Sequence, residues 1–186
     1  MHFVMSQQNH GAFKGAIHQT NKNHSYISIY IARCVSGLMA IYDVTKDSRY
    51  LESALETTDF LKKMAAPEGG FYFGWRDLGD GFYRYKYPQF VAGAGDILRA
   101  FLLVKPYKKY PLDKHLEWID SHTHPHGGVW TSVGMDVKDI KTEKKIKEPC
   151  WNDVIPVVGW NDKILRLRVE LVKEKRTITE QPFMPS

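Results

Sequence analysis

Aspartates in glycine- and aromatic-rich segments offer the carboxyl groups that glycoside hydrolysis requires. That reaction generally uses two carboxyl groups, one as the acid and the other as base or nucleophile. Asp77, Asp80 and Asp153 lie in segments predicted to be loops, and Asp96 lies mid-helix, where it is predicted to pair with Arg99. Asp80 also suits an Asp-Gly turn, and Asp153 also suits a helix start. We take Asp77 and Asp153 as candidate catalytic residues.

Histidine and tyrosine offer a second acid–base chemistry. An eliminating lyase or an epimerase needs a base at the sugar C5 position and a cation that neutralises the uronate carboxylate. His18 and Tyr30 supply the first residue type, and Arg33, Arg76 and Arg84 supply the second. His18 and Tyr30 therefore join the candidate catalytic residues.

Aromatic side chains are abundant, at 13% of the chain, and many lie beside the predicted Asp-Gly turn. Aromatic planes stack on the C–H faces of sugar rings, although some of them could instead close the rim of the fold. The sequence predicts a substrate-binding set of aromatic, cationic and amide side chains. Its members are Trp75, Arg76, Tyr83, Tyr85, Tyr87, Gln89, Trp151 and Asn152.

A run of alternating histidines raises the question of a metal. In a strand-like segment His122, His124 and His126 would share one side, as zinc ligands often do, whereas in an exposed loop they would be solvated. A fourth ligand is missing, so we predict no metal site. The sequence also lacks a phosphate-binding loop and a dinucleotide fingerprint, so we predict no cofactor.

The bulk composition narrows the choice of partners. The chain has 186 residues and a formal charge of +5, and lysines alternate with acids in residues 138–147. Such a mixed run is typical of a solvated loop, and a nucleic-acid surface is not predicted. No apolar run is long enough to span a bilayer, and the opening residues lack a signal-peptide pattern. We predict a cytoplasmic protein with no membrane contact.

Helical segments alternate with glycine-aromatic segments, which begin at residues 11, 69 and 127. Apolar residues at three- and four-residue steps predict helices over 26–43, 48–65, 88–104, 112–121 and 156–172. The connection between the first two is so short that they must be antiparallel. Two β-rich runs, 71–75 and 82–86, surround the Asp-Gly turn and predict a β-hairpin.

Two stretches resemble the six-hairpin glycosidase superfamily. Residues 40–54 resemble its helix-turn-helix joint, and Glu68-Gly69-Gly70-Phe71-Tyr72 resembles the loop that follows. The resemblance covers residues 11–172 and implies an all-α fold: antiparallel helical hairpins of an (α/α) toroid, with short β-hairpin loops. About two and a half hairpins are present, which suggests a partial ring. We expect a single α/α-toroid-like domain over 1–186, as a fragment of a larger ring, with a polar tail at 173–186.

The resemblance also implies a function and a cavity. It places the substrate cavity where the glycine-aromatic loops meet the starts of the inner helices. We therefore expect a carbohydrate-processing protein, a glycoside hydrolase or a lyase or epimerase, that binds an oligo- or polysaccharide. Two alternatives remain open: a non-catalytic helical-repeat interaction module and an isoprenoid-processing toroid relative. Uncovered terminal units predict a homo-oligomer or a missing N-terminal part of the ring.

Overall fold

Helices and one small sheet form the part of the chain that the computed structural model describes, which is residues 2–20, 25–137, 139, 141–144 and 153–179. The elements in chain order are α1 (His2–Ser6), β1 (Tyr26–Ile27), α2 (Ser28–Thr45), α3 (Ser48–Lys63), β2 (Gly74–Asp77), β3 (Phe82–Tyr85), α4 (Val91–Leu103), α5 (Asp113–Ser121) and α6 (Val158–Thr179). None of these helices combines the length and the apolar character needed to cross a bilayer.

The helices α2 and α3 form an antiparallel pair around a two-residue joint. Lys46 takes a left-handed conformation with φ of 56°, and its N–H donates to the Tyr42 carbonyl, which ends α2. Asp47 then caps α3, because its carboxylate accepts a hydrogen bond from the Arg49 N–H at 3.0 Å. The chain therefore reverses at once, and the two helices pack against each other.

Three helices, α2, α4 and α6, lie side by side. The helix α3 packs on α2, and α5 packs on α4. Small residues on α4 allow this close approach. A Cβ atom at Gly93 would lie 2.6 Å from the Ile29 side chain, and one at Gly95 would lie 2.8 Å from the Lys163 carbonyl oxygen. The core between the helices includes the buried side chains Val35, Leu38, Leu61, Ile97, Leu98, Ile119 and Leu167.

The sheet is antiparallel with the strand order β1-β2-β3. Tyr26 pairs with Trp75, and Trp75 pairs with Arg84. The predicted hairpin between β2 and β3 is present. Its turn uses Gly79 and Gly81, which have φ values of 87° and 146° that favour glycine.

The predicted all-α toroid class is wrong, because the described chain is a mixed α/β fold in which helices dominate. The apolar spacing predicts a helix that begins at residue 26, but Tyr26 and Ile27 form β1 instead. Their backbone pairs with Trp75 and Gly74, almost fifty positions further along the chain. A pairing over such a distance leaves no periodic signal in the local sequence, and it joins the hairpin to α2 as a sheet.

The loops between the helices are tied together into one loop cluster, made of residues 64–73, 86–90 and 122–137. Short antiparallel bridges link Ala65 to Phe71 and Gln89 to Val133. The Ser28 hydroxyl, at the start of α2, donates to the Tyr72 carbonyl at 2.9 Å. The beginning of α2 is therefore fixed against both the sheet and the loop cluster.

Candidate functional site

A small cavity lies beside the first turn of α2 and brings together two candidate catalytic residues. His18 and Tyr30 both line it, and its volume is about 150 Å³. The rest of its wall is mostly apolar and includes Ile17, Ile27 and Ile31. A cavity of this kind can hold one end of a ligand between two proton-transferring groups and an apolar wall. We name it the His18–Tyr30 cavity.

The ring of His18 is held by a buried tyrosine. His18 Nε2 lies 2.7 Å from the Tyr26 hydroxyl, and Asn9 Nδ2 donates to the same hydroxyl at 3.0 Å. Burial raises the pKa of Tyr26, and the hydrogen bond from Asn9 opposes this only in part. The Tyr26 hydroxyl oxygen can accept a hydrogen bond from Nε2 as well as the one from Asn9, and in that tautomer the other ring nitrogen of His18 carries the basic lone pair. Tyr26 thus orients the imidazole, as a base is oriented by a third group in other acid–base sites.

Tyr30 presents its hydroxyl-bearing ring at the surface of α2, with 44% of the residue exposed. The guanidinium carbon of Arg33 lies 5.6 Å from the centre of that ring. Arg33 Nε also donates to Asp96 Oδ2 on α4 at 2.9 Å. A phenol and a cation are therefore neighbours on one helix face.

The cavity also contains a thiol that is poorly suited to nucleophilic attack. Cys34 lines the cavity and is a free cysteine. Burial raises the pKa of its thiol. The reactive thiolate is therefore scarce at neutral pH.

The two candidate aspartates lie elsewhere and hold loops in place. Asp77 Oδ1 accepts the Gly79 N–H at 2.8 Å in the hairpin turn. The Asp153 carboxylate accepts the Ser132 hydroxyl at 2.7 Å and the Gly134 N–H at 3.1 Å. Neither aspartate lines the His18–Tyr30 cavity. Both carboxylates are engaged in local hydrogen bonds of the kind that stabilise turns.

One face of the sheet is covered by the segment that precedes β1. The Trp75 ring lies 5.2 Å from the Phe13 ring, and Phe82 lies 4.9 Å from Phe13. Tyr26 also stacks on Phe82 at 5.9 Å. Trp75 therefore contributes to an aromatic cluster that supports the tyrosine orienting His18.

The opposite face of the hairpin carries tyrosines next to cations. The Arg76 guanidinium lies 5.7 Å from the Tyr85 ring centre, and Lys141 Nζ lies 4.4 Å from the Tyr83 ring centre. The Tyr83 hydroxyl donates to Asp80 at 3.3 Å, and Lys141 forms an ion pair with Asp80 at 2.6 Å. This face combines aromatic planes with hydrogen-bonding groups, which is the combination that sugar-binding surfaces use.

Gln89 and Tyr87 surround a glutamate that the sequence analysis did not select. Gln89 is buried, with 1% of the residue exposed, and its amide nitrogen donates to the Glu68 carboxylate. Burial raises the pKa of Tyr87, and the nearby carboxylates of Glu68 and Glu143 raise it further. Glu68 is exposed and directly precedes the Gly69-Gly70 pair. The sequence analysis interprets this segment only as a loop motif, although a carboxylate in such a loop could also have indicated a site residue. Trp151 and Asn152 lie outside the described residues.

The alternating histidines bind neighbouring backbone rather than a common centre. His122 Nδ1 lies 2.8 Å from the Trp118 carbonyl oxygen, and His124 Nε2 lies 2.7 Å from the Val154 carbonyl oxygen. His124 and His126 stack at 5.0 Å. Over the described ranges of the chain, no group of three or more His, Cys, Asp or Glu side chains is arranged to hold a metal ion.

Comparison with known proteins does not add to this chemistry. No protein-family model matches the chain, and no curated protein matches its sequence. The site is therefore interpreted from its own geometry.

Proposed function

We propose that the protein processes carbohydrate, and that it transfers protons on an oligo- or polysaccharide at the His18–Tyr30 cavity. The observation that carries this proposal is that His18 and Tyr30, which are twelve positions apart in the sequence, line one cavity. An imidazole and a phenol on the wall of one small cavity can supply a base and an acid to one sugar unit of a substrate.

The geometry favours the lyase or epimerase form of this chemistry over hydrolysis. Hydrolysis generally needs two carboxyl groups that flank the scissile bond. The carboxylates of Asp77 and Asp153 instead accept hydrogen bonds from turns, away from the cavity. Proton abstraction next to a carboxylate needs only a base, an acid and a cation, and His18, Tyr30 and Arg33 are these residue types.

The proposed reaction on a uronate residue balances as follows. His18 takes the proton from C5, and the electron pair is delocalised into the carboxylate, whose charge Arg33 neutralises. In elimination, the pair then forms the C4–C5 double bond, the C4–O bond breaks, and Tyr30 protonates the departing oxygen. In epimerisation, C5 regains a proton from the opposite face. No oxidant, reductant or co-reactant is required.

The hairpin face that carries the half-buried Tyr83 and Tyr85 is the proposed binding surface for the rest of the saccharide. Tyr83 and Tyr85 provide the aromatic planes, and Arg76 provides a hydrogen-bonding cation. Arg84 pairs with Trp75 and therefore lies on the other face of the hairpin, 4.8 Å from the Tyr72 ring centre. A chain of sugars is a larger ligand than the cavity can hold, so binding outside the cavity is part of the proposal.

A substrate panel tests the proposal. Polygalacturonate, polyguluronate and polymannuronate are incubated with the protein beside the neutral polymers cellulose and starch. Unsaturated products are followed by ultraviolet absorbance, new chain ends by a reducing-sugar assay, and epimers by NMR. We expect turnover of a uronate polymer that is lost in His18→Gln and retained in Asp77→Asn. Turnover of neutral polymers only, or equal activity in His18→Gln, would contradict it.

A non-catalytic interaction module is the second candidate function, and one feature of α6 favours it. Val158 and Leu165 on this helix are 89% and 66% exposed, and Val172 follows one heptad after Leu165 and is also exposed. Apolar side chains at seven-residue steps share one helix face, which suits contact with another helix. We propose a second copy of the chain as the partner. Light scattering tests it: a dimer that Leu165→Glu dissociates supports this function, and a monomer at all concentrations excludes the dimer.

A further inference from the structure

A charged cleft lies between α2, α4 and α6, apart from the residues that line the His18–Tyr30 cavity. Its volume is about 390 Å³, and it is walled by charged side chains from all three helices. The cationic members are Arg33, Arg99, Lys163 and Arg166, and the carboxylates are Asp96 and Asp162. Four cations against two carboxylates leave a surplus of two positive charges. We name it the three-helix cleft.

The carboxylates engage only part of the cationic set. Asp96 accepts from Arg33 Nε at 2.9 Å, and Asp162 lies 3.1 Å from Arg166. Lys163 Nζ is 3.5 Å from the same Asp162, at the long end for an ion pair. The Lys163 side chain is also only 12% exposed, so water screens its charge weakly. The excess positive charge is therefore concentrated at Lys163 and Arg99.

Arg99 is the group in the cleft that most needs a partner. Its Nε is buried, and within the described part of the chain it has no hydrogen-bond partner. An ion pair between Asp96 and Arg99 was expected from their spacing on α4, but Asp96 binds Arg33 of α2 instead. A buried N–H donor without an acceptor is costly, so an acceptor that a ligand supplies at Arg99 Nε would be stabilising.

One glycine allows the helices α4 and α6 to approach each other closely beside the cleft, and a second glycine lines the cleft. Gly95 lets α4 lie against α6, since a Cβ atom there would be 2.8 Å from the Lys163 carbonyl oxygen. Gly159 lines the cleft without a side chain, and Lys163 Nζ lies 3.3 Å from its carbonyl oxygen. The two helices thus hold the Arg99 and Lys163 side chains in one confined space.

We propose that the three-helix cleft binds a tetrahedral dianion, a phosphate or sulfate group. A phosphate group carries about −1.5 to −2 charges at neutral pH, which matches the surplus of the cleft. Its oxygens accept hydrogen bonds in the fork geometry that a guanidinium offers, and an ammonium group such as Lys163 adds a compact charge. The proposal shares Arg33 with the proposed saccharide chemistry, but it rests on Arg99 and Lys163, which line the cleft and not the His18–Tyr30 cavity.

Calorimetric titration of the full chain with inorganic phosphate tests the proposal, with sodium chloride at matched ionic strength as the control for screening. Sulfate and a hexose phosphate form two further arms, which distinguish a free ion from a phosphate carried on a sugar. The variant Arg99→Met removes the unpaired donor, and Lys114→Met removes one exposed charge on α5 as a matched control. Melting curves without ligand verify that both variants fold.

We expect saturable phosphate binding that chloride does not reproduce, weakened about tenfold or more in Arg99→Met through lost charge-assisted hydrogen bonds. Lys114→Met should bind as the unmodified protein does. Asp96→Asn removes a negative charge and should tighten binding about threefold, as a modest ionic contribution would. Tighter binding of the hexose phosphate than of phosphate would assign the ligand to a sugar phosphate. Equal binding by Arg99→Met, or no binding beyond chloride, would overturn the proposal.

Discussion

Two recesses border the same helix, α2, and their chemistry is opposite. The His18–Tyr30 cavity is lined by isoleucines, and its polar groups are an imidazole, a phenol, the Gln19 amide and the Cys34 thiol. The three-helix cleft is lined by arginines, a lysine and aspartates. Arg33 belongs to the cleft, yet its guanidinium carbon lies 5.6 Å from the Tyr30 ring centre. The contrast shows that a mostly apolar recess and a charged recess can lie about one helical turn apart on the same helix, and we propose proton transfer for the first and anion binding for the second.

Replacing the phenol of Tyr30 should produce the largest loss of activity. If activity does not fall, the proposed difference in chemistry between the two recesses is wrong. Tyr30→Phe should lower kcat/KM on a uronate polymer about 100-fold or more, because general acid–base groups contribute about 10²–10⁴-fold. The melting temperature should barely change, since the hydroxyl is at an exposed position. Tyr107→Phe is the matched control, because Tyr107 is also about half exposed, at 48%. Equal losses in both variants would remove Tyr30 from the site.

A glycine that packs against the backbone of α3 should give the next largest effect. Gly15 has φ of 86°, and a Cβ atom there would overlap the Glu56 carbonyl oxygen. Gly15→Ala should therefore lower the free energy of unfolding by about 3 kcal/mol, combining backbone strain with a clash. Gly79 has φ of 87° and no atom within 4 Å of such a Cβ. Gly79→Ala should cost about 1 kcal/mol, from strain alone. Denaturant unfolding measures both, and equal losses would contradict the clash.

Removing the loop-holding aspartate should separate stability from activity. Asp153→Ala leaves the Ser132 hydroxyl and the Gly134 N–H without their acceptor, and should lower the free energy of unfolding by about 2 kcal/mol. Activity per folded molecule should persist. Asp77→Ala, in an exposed turn, should cost about 0.5 kcal/mol. A loss of kcat in well-folded Asp153→Ala would instead return this carboxylate to the catalytic set.

The free energy of unfolding should depend on pH through His115, which lines neither recess. We expect this effect to be smaller than those above. Burial lowers the pKa of His115 below its usual 6.5, although the hydrogen bond with the Gly69 carbonyl opposes this. Below pH 6.5 the unfolded chain therefore binds a proton that folded His115 resists. Its contribution should be steady above pH 6.5 and decline as the pH falls through the folded-state pKa. Denaturant unfolding at several pH values tests this, and His115→Gln should flatten that part of the profile.

Local patterns predicted the helices well and the contacts between them poorly. The pair α2 and α3 follows from apolar spacing and from Asp47, both of which are visible within a few residues. The ion pair between Arg33 and Asp96 joins residues 63 positions apart, and the nearby Arg99 was the more obvious partner. Such contacts depend on which helices lie side by side. The periodicity of apolar residues within one helix does not show which other helix it packs against. The strand at Tyr26 was missed for the same reason.

The candidate site was predictable in its residue types but not in its grouping. His18 and Tyr30 were selected for their chemistry, and the structure places them on one cavity. Asp77 and Asp153 were selected on the same grounds, but hydrogen bonds within turns occupy them. Glu68 was overlooked, because its contact with Gln89 depends on the folding together of two separate loops.

Deuterium incorporation tests the central claim, proton transfer at C5 of a uronate by His18 and Tyr30, most directly. The substrate identified in the panel is incubated with the protein in D₂O, and the product and the recovered substrate are analysed by NMR. The account predicts either a C4–C5 double bond or deuterium at C5, with both signals lost in His18→Gln and Tyr30→Phe. Cleaved chains that retain their C5 proton and carry no double bond would contradict it.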